Sequence, residues 1–518
     1  MVSVLHVIDS LSLGGATRAM FAAAKYSSLA GEYSHSVIPL RLEPISEEVR
    51  SLAQGNNIRI IEPSSSEQRN AEIAKADIVL LEWWNSPSMA EFLRSELPAA
   101  RLAAWMHVGG HQDPQRIPES FLDFLDFGIA CSPFTYEAPA FAQMTPENRA
   151  AKTTLAYGAT DFARLTNIRP RAHSGFNVGY IGTVNFVKMH PNYISMSARV
   201  AIPDVRFIVA GHGGDHEVLR AQARHLGIHE KFSINDAVAD IAPLLEILDV
   251  YGYPLCEDTY AASELTIQEA MYCGIPSVVF PYGGLKRLVI NDFTGYVVQN
   301  EVEYAQALEY LYHNKQERVR IGRNAAEYAR QIFGAETAAR KLNLAFEQLL
   351  KAPKHTRPPF GERAPTWLTR PARGVQAFLD QLGPAREVFQ NSIAQPDIRA
   401  AFAADAQIMK SSNLMKRLGI HPYRNHFASD PYLNFWAGLA SFGEGNWGQA
   451  MYDFVEALKH GFPCWRPWWY LALAARRAGN IEIAQQAVSN VLTIEPRFDE
   501  ASTLQRELSL ATMAQGKQ

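Results

Sequence analysis

Two carboxylates five positions apart, Glu264 and Glu269, are the first residues in this chain whose spacing suggests chemistry. They lie in residues 252–298, GYPLCEDTYAASELTIQEAMYCGIPSVVFPYGGLKRLVINDFTGYVV. The stretch reads as a loop, a helix over 264–273, a buried strand over 277–280, a Gly283-Gly284 turn, a second helix and a strand over 295–298. A helix that begins straight after a loop offers unpaired backbone N–H groups and the positive end of its dipole, a setting suited to phosphate. The amides of Ser263 to Leu265 would form that site. Glu269 is set back inside the helix, where it can accept hydrogen bonds from a ribose without repelling the phosphates. Glu264, at or near the helix start, serves either a ligand or the dipole. Ser263, at the expected N-cap, either caps the helix or meets phosphate. Gly283-Gly284 lets backbone approach a ligand closely.

Other candidates are scattered. Leu13-Gly14-Gly15 follows the first apolar run and precedes a helix. The full GxGxxG is absent and no acidic residue ends the second strand, which argues against a nicotinamide enzyme. His107 ends a strand over 102–106, where an imidazole serves either the scaffold or a cleft; His111 and Asp113 follow and could face an acceptor. His212, Asp215 and His216 fit no common metal spacing, so no metal is expected. Trp436, Trp447, Trp465, Trp468 and Trp469 could stack on sugars, but most fall at helical core spacing, and packing is the better reading.

The elements that must position these residues alternate. Apolar runs at 4–8, 36–40, 59–61, 78–81, 102–106 and 128–130 are separated by helical patterns, which predicts a parallel sheet covered on both faces. A second series begins near 176, with runs at 177–181, 205–210, 231–234, 250–252 and 277–280. Two doubly wound sheets in tandem imply a cleft at the carboxyl ends of their strands. The boundary is expected at 165–175, and helices over 302–314, 316–333 and 335–350 close the series. Residues 351–373 carry five prolines and many basic residues and read as a semi-rigid, solvated linker. Beyond it, Gly445-Asn446-Trp447 recurs as Gly479-Asn480-Ile481, 34 positions on, with Ala450 matching Ala484 and Leu458 matching Leu492.

The bulk properties bound the rest. A chain of 518 residues holds several domains, and its formal net charge of -4 gives no reason to invoke nucleic acid. Four cysteines, Cys131, Cys256, Cys273 and Cys464, form no CxxC pair, which fits a reducing compartment. No charged-then-apolar leader opens the chain, and no apolar run approaches the ~20 residues that span a bilayer. A cytoplasmic location with at most peripheral membrane contact is expected.

Residues 252–298 resemble the donor-binding half of the GT-B retaining glycosyltransferases of family 4 (group 1), in Glu269-Ala270-Met271, Gly274-Ile275-Pro276, Gly283-Gly284 and Gly295. The 34-residue repeat and Pro496 resemble tetratricopeptide repeats. The first resemblance implies an α/β fold of two Rossmann-like domains (GT-B) facing across a cleft, and the second an all-α domain after them. The domains would be 1–168 for the acceptor, 175–333 for the nucleotide-sugar donor, 334–350 as a helix crossing back to the first domain, 351–373 as linker and 374–518 as the repeat region.

The resemblance implies transfer of a sugar, with retention and without a metal or other cofactor, from a UDP- or GDP-linked donor to a glycan, glycolipid or protein. His107, Lys188 and Glu264 would be catalytic. Lys188 matches the family's lysine on the diphosphate; Thr183 replaces its arginine. Donor contacts would come from Gly14, Gly15, Gly182, Thr183, Gly211, Ser263, Leu265, Glu269, Gly283, Gly284 and Arg287. The family places two glutamates eight positions apart, and Ala261 stands where the first belongs; Arg287, beside Lys286, would restore the positive charge missing at Thr183. Tyr157 to Asp161 matches a mainly structural segment. The repeats imply a protein partner or self-association. Two other readings are a catalytically silent subunit that supports a partner glycosyltransferase, favoured by the losses at 183 and 261, and a sugar-nucleotide epimerase on the same fold.

Overall fold

A computed structural model describes residues 1–238, 240–361 and 373–515. The chain divides into two compact units: Met1–Trp84 with Ser95–Phe360, and Asn85–Arg94 with Gly361–Gln518. The first unit holds two wholly parallel sheets. Strands β1 (Val2–Ile8), β2 (Tyr33–Pro39), β3 (Ile58–Ile60), β4 (Ile78–Trp83), β5 (Leu102–Met106), β6 (Phe127–Ala130) and β7 (Thr153–Leu155) form a sheet of order β3-β2-β1-β4-β5-β6-β7. Strands β8 (Phe176–Ile181), β9 (Val205–Ala210), β10 (Phe232–Asn235), β11 (Val250–Tyr253), β12 (Ser277–Val279) and β13 (Gly295–Val297) form the order β10-β9-β8-β11-β12-β13. Both orders reverse direction beside the first strand of their series, the topology that opens a crevice at the carboxyl ends. The central strands β4 and β8 are buried at every position, as helices on both faces require. These are two Rossmann-like domains, and the second unit adds an all-α domain.

Helix Ala335–Leu350 lies against the first sheet: Ala338, Leu342, Ala345 and Phe346 share a core with Val4, Ala19, Ala103 and Trp105. Strand β7 had no sequence signal, because Thr153-Thr154-Leu155 is too short to show a period. Residues 351–360 depart from the expected solvated linker. The Ala100 amide donates to the His355 carbonyl, Arg357 pairs with Asp126 at 2.9 Å, and Phe360 is buried between Phe121 and Phe124. An aromatic anchor and a buried ion pair fix this half of the proline-rich stretch to the first sheet. The other half, 362–372, lies outside the described residues.

Residues 85–94, expected inside the first domain, belong to the helical unit. Ser86 caps helix Pro87–Leu93, whose Ala90 is part of the helical core; the Tyr423 hydroxyl donates to Asn85 Oδ1 at 2.6 Å, and Arg94 pairs with Asp380. The repeat is a pair of helix hairpins, Pro431–Gly443 with Trp447–Lys459 and Arg466–Arg477 with Ile481–Ile494. Gly445 and Gly479 turn at φ +74 and +78, and the Asn446 and Asn480 side chains cap the second helices. Trp436 is fully buried, and Trp465, Trp468 and Trp469 pack against the same core. No helix among the described residues is long and apolar enough to cross a membrane.

Candidate functional site

A cavity of about 370 Å³ opens where the strand ends of both sheets converge. Its lining follows the strands outward: Ser12 to Gly15 after β1, His107 after β5, Gly182 and Thr183 after β8, Gly211 after β9, and Tyr253 at the end of β11. Helix Leu265–Tyr272 adds Glu264, Leu265 and Glu269. Of the residues singled out from sequence, Gly14, Gly15, His107, Gly182, Thr183, Lys188, Gly211, Ser263, Glu264, Leu265 and Glu269 all line this cavity. Gly211, at φ +155, approaches the Gly182 carbonyl so closely that an added Cβ would sit 1.7 Å from it, so any other residue would force the two turns apart.

The wall built on the second sheet carries paired charge. Lys188 Nζ lies 2.7 Å from Glu264 Oε2, which also accepts the Tyr253 hydroxyl at 2.9 Å. Burial works against the Lys188 charge, and the Glu264 carboxylate overrides it, so the ammonium is held above its ordinary value. Glu264 is itself the N-cap, without a side-chain capping bond. Its carboxylate is turned to Lys188 instead, and the expected N-cap, Ser263, does different work. Ser263 Oγ accepts the Gly158 amide at 2.9 Å and the Gln268 amide group at 3.0 Å, tying the helix start to the end of the first domain. Glu269 is buried and pairs with Arg164; burial nonetheless raises its carboxyl above the ordinary value, against the pull of Arg164 and Arg18.

The wall built on the first sheet is made of glycines and imidazoles. Gly14 is the N-cap of helix Gly15–Ser28 and has no side chain with which to cap it, so the first-turn amides face the cavity beside Gly15. A Cβ at Gly15 would meet nothing within 4 Å. His107 Nε2 lies 2.6 Å from Glu82 Oε2, and Glu82 Oε1 lies 2.6 Å from His6 Nδ1. His6 Nε2 continues to His35 Nδ1 at 2.8 Å, and His35 Nε2 to Ser27 Oγ at 3.0 Å. Cys131 also lines the cavity, but burial pushes its thiol up to about 12, which leaves it inert at neutral pH.

Three expected donor contacts stand apart from the lining. Gly283 and Gly284 pack under the loop before the helix: a Cβ on Gly284 would fall 1.8 Å from the Ala262 carbonyl oxygen. Their lack of side chains serves the loop's backbone rather than a ligand. Arg287 pairs with Glu137 at 2.8 Å and is half exposed, so it does not replace the charge missing at Thr183. His111 is stacked on Phe134, with Nε2 2.9 Å from the Phe134 carbonyl, and Asp113 lies 3.4 Å from Arg116. His216 braces the Gly211 turn through its carbonyl at 2.9 Å. Sequence reasoning missed Glu82, His6, His35, Arg18, Arg164 and Tyr253. The signal for the first three was a polar residue interrupting a run of buried strand residues, VSVLHVI in β1, IVLLEW in β4 and YSHSVIP in β2.

Residues 166–328 match the family of glycosyl transferases group 1. D-inositol 3-phosphate glycosyltransferase of Stackebrandtia nassauensis is 26% identical over 176 residues, 31% of this chain and 39% of that protein. The crystal structure of Anabaena HepE in complex with UDP-glucose superposes with a TM-score of 0.53 at 18% identity, covering 67% of this chain and 100% of that one. A glycosyltransferase from Rickettsia africae gives a TM-score of 0.55 at 18% identity over 68% of this chain and 99% of its own. Residues 166–328 are thus similar to the glycosyl transferases group 1 family, and the two-sheet unit has the GT-B fold.

Proposed function

We propose that this protein transfers a sugar from a nucleoside-diphosphate sugar, held in the cavity between the two sheets, to a glycan, glycolipid or protein acceptor. The observation that carries the reading is the convergence of a buried lysine and two helix starts on one cavity, within a fold whose relatives include a UDP-glucose complex. Lys188 has three N–H donors and spends one on Glu264, so others remain for a diphosphate. Glu264 receives both of its contacts on Oε2, which leaves Oε1 for a sugar hydroxyl. Glu269, set back along its helix, takes the ribose in exchange for Arg164. The leaving diphosphate gains charge as the bond to the anomeric carbon breaks, and Lys188 with the amides near Gly14 and Leu265 stabilises that charge most where it is greatest.

Retention of anomeric configuration follows from the family resemblance, with departure and attack on the same face. The donor base is uracil or guanine, and the reaction needs no metal. The helical repeats, as a tetratricopeptide-like module, recruit an acceptor protein, a partner enzyme or a second copy, and the protein works in the cytoplasm.

The losses at Thr183 and Ala261 favour one rival, a silent subunit that supports a partner glycosyltransferase. Incubating the full chain with a panel of UDP- and GDP-sugars, alone and with acceptor lysate, distinguishes the readings: sugar transfer is expected, absence of turnover favours the subunit, and isomerised donor indicates an epimerase. NMR assignment of the product anomer tests retention.

A further inference from the structure

The polar chain behind His107 is chemically over-determined. Glu82 is fully buried, and each carboxyl oxygen meets one imidazole nitrogen at 2.6 Å. Burial would raise this carboxyl, but hydrogen bonds from His107 and His6 override burial and hold it below its ordinary value, so Glu82 is a carboxylate. A carboxylate only accepts, so the nitrogens facing it, His107 Nε2 and His6 Nδ1, both carry protons. Among the described residues, His107 Nδ1 has no hydrogen-bond partner, and His107 lines the cavity.

The outer links constrain the rest. Ser27 Oγ lies 2.6 Å from Asn343 Oδ1, on the helix Ala335–Leu350, and has a single proton to give. With a neutral His35, two hydrogen placements satisfy every link from Glu82 to Asn343. In one, His6 is protonated on both nitrogens and donates to His35, which donates to Ser27, which donates to Asn343. In the other, His6 is neutral; His35 donates to it, Ser27 donates to His35, and Asn343 presents its amide N–H to Ser27. The two differ by one proton. Burial holds His35 well below its ordinary value, so it is neutral in both. His107 Nε2–H is common to both.

We propose that Glu82, braced by His6, is a positioning residue for His107: it fixes the imidazole with Nε2–H turned inward, so that Nδ1 faces the sugar of the bound donor with a carboxylate behind the ring. What Nδ1 meets rests on the transfer reading above; the fixed tautomer does not. A negative charge behind the ring favours positive charge at the anomeric centre as the diphosphate leaves. Replacing Glu82 by glutamine keeps the shape. The amide oxygen still accepts from His107, and the amide N–H donates to His6 Nδ1 if the outer links all point toward Asn343. Replacing it by leucine removes the acceptor.

The test is nitrogen NMR of the full chain labelled with 15N-histidine, with His107→Ala to assign the ring. His107 carrying its proton on Nε2 is expected; a ring bare at Nε2 overturns the proposal. Glu82→Leu should mix or reverse the tautomers, and an unchanged pattern overturns it. If that variant does not fold, Glu82→Gln carries the test: its tautomer is retained, KM for the donor is unchanged and kcat falls by about ten- to a hundredfold, the scale on which partners that orient a metal-ligating histidine act. An unchanged kcat overturns the role of the charge. If the wild type turns over no donor, the transfer reading falls while the tautomer measurement still decides the positioning.

Discussion

The two walls of the cavity are built in opposite ways. The wall on the second sheet is local in sequence: Glu264, Leu265 and Glu269 share one helix and its start, and their charges are neutralised by Lys188 and Arg164. The wall on the first sheet is assembled from afar, with His6 on β1, His35 on β2, Glu82 on β4 and His107 at the end of β5. One wall presents paired charges and the start of a helix. The other presents an imidazole whose orientation depends on residues that never reach the ligand. On the proposed reading the second wall supplies the charged contacts to the nucleotide, while the first adds an imidazole that acts on the sugar.

The largest effect should come from breaking the charge pair. Lys188→Ala leaves Glu264 buried without its cation, and loss of one partner of a buried pair costs about 3–5 kcal/mol. Its chemical-denaturation midpoint should fall and nucleotide affinity should vanish with it; an unchanged midpoint would mean that the pair is solvated. Next comes His107→Ala, which leaves Glu82 with His6 as its remaining partner. Turnover should drop by about 10²–10⁴, the range for a positioned acid or base, and the melting temperature should fall as well, because one oxygen of the buried Glu82 carboxylate loses its partner. Intact turnover per folded molecule would make His107 a scaffold residue.

Acid should reveal the imidazole chain more gently. His35 is held well below its ordinary value of 6.5, chiefly by burial and then by His6. The unfolded chain therefore binds a proton that the folded chain refuses, and stability is lost as pH falls below about 6.5. Melting temperatures from pH 7.5 to 5 should decline in the wild type and decline less in His35→Gln; parallel curves would exclude this source. The smallest effect belongs to Arg287→Ala. An exposed pair contributes about 0–1 kcal/mol, and donor affinity measured by calorimetry should be unchanged. A large loss would return Arg287 to the site.

Sequence legibility followed the same division. The helix over 264–273 and the glycines around it are contiguous, so their pattern survives in one segment. β7 and the exact N-cap were lost to short range: three residues show no period, and Ser263 and Glu264 both suit a helix start until their partners are known. Glu82 and His6 were hidden because a polar residue in a buried strand is meaningful only when its partner on the neighbouring strand is seen. Gly283-Gly284 was recognised as a close approach, but the approaching groups are the Ala261 and Ala262 carbonyls, not a ligand. The segment 85–94 was misplaced because its apolar residues suit either core, and only the contacts of Ala90 and Asn85 assign it.

The central claim is that nucleotide binding belongs to one wall and action on the sugar to the other. Calorimetric titration of UDP and of GDP into the wild type, Lys188→Ala and His107→Ala tests it most directly. The account predicts that the wild type binds one of the two, that His107→Ala binds it equally well and that Lys188→Ala does not. Binding of neither nucleotide by the wild type, or equal loss of affinity in both variants, would contradict it.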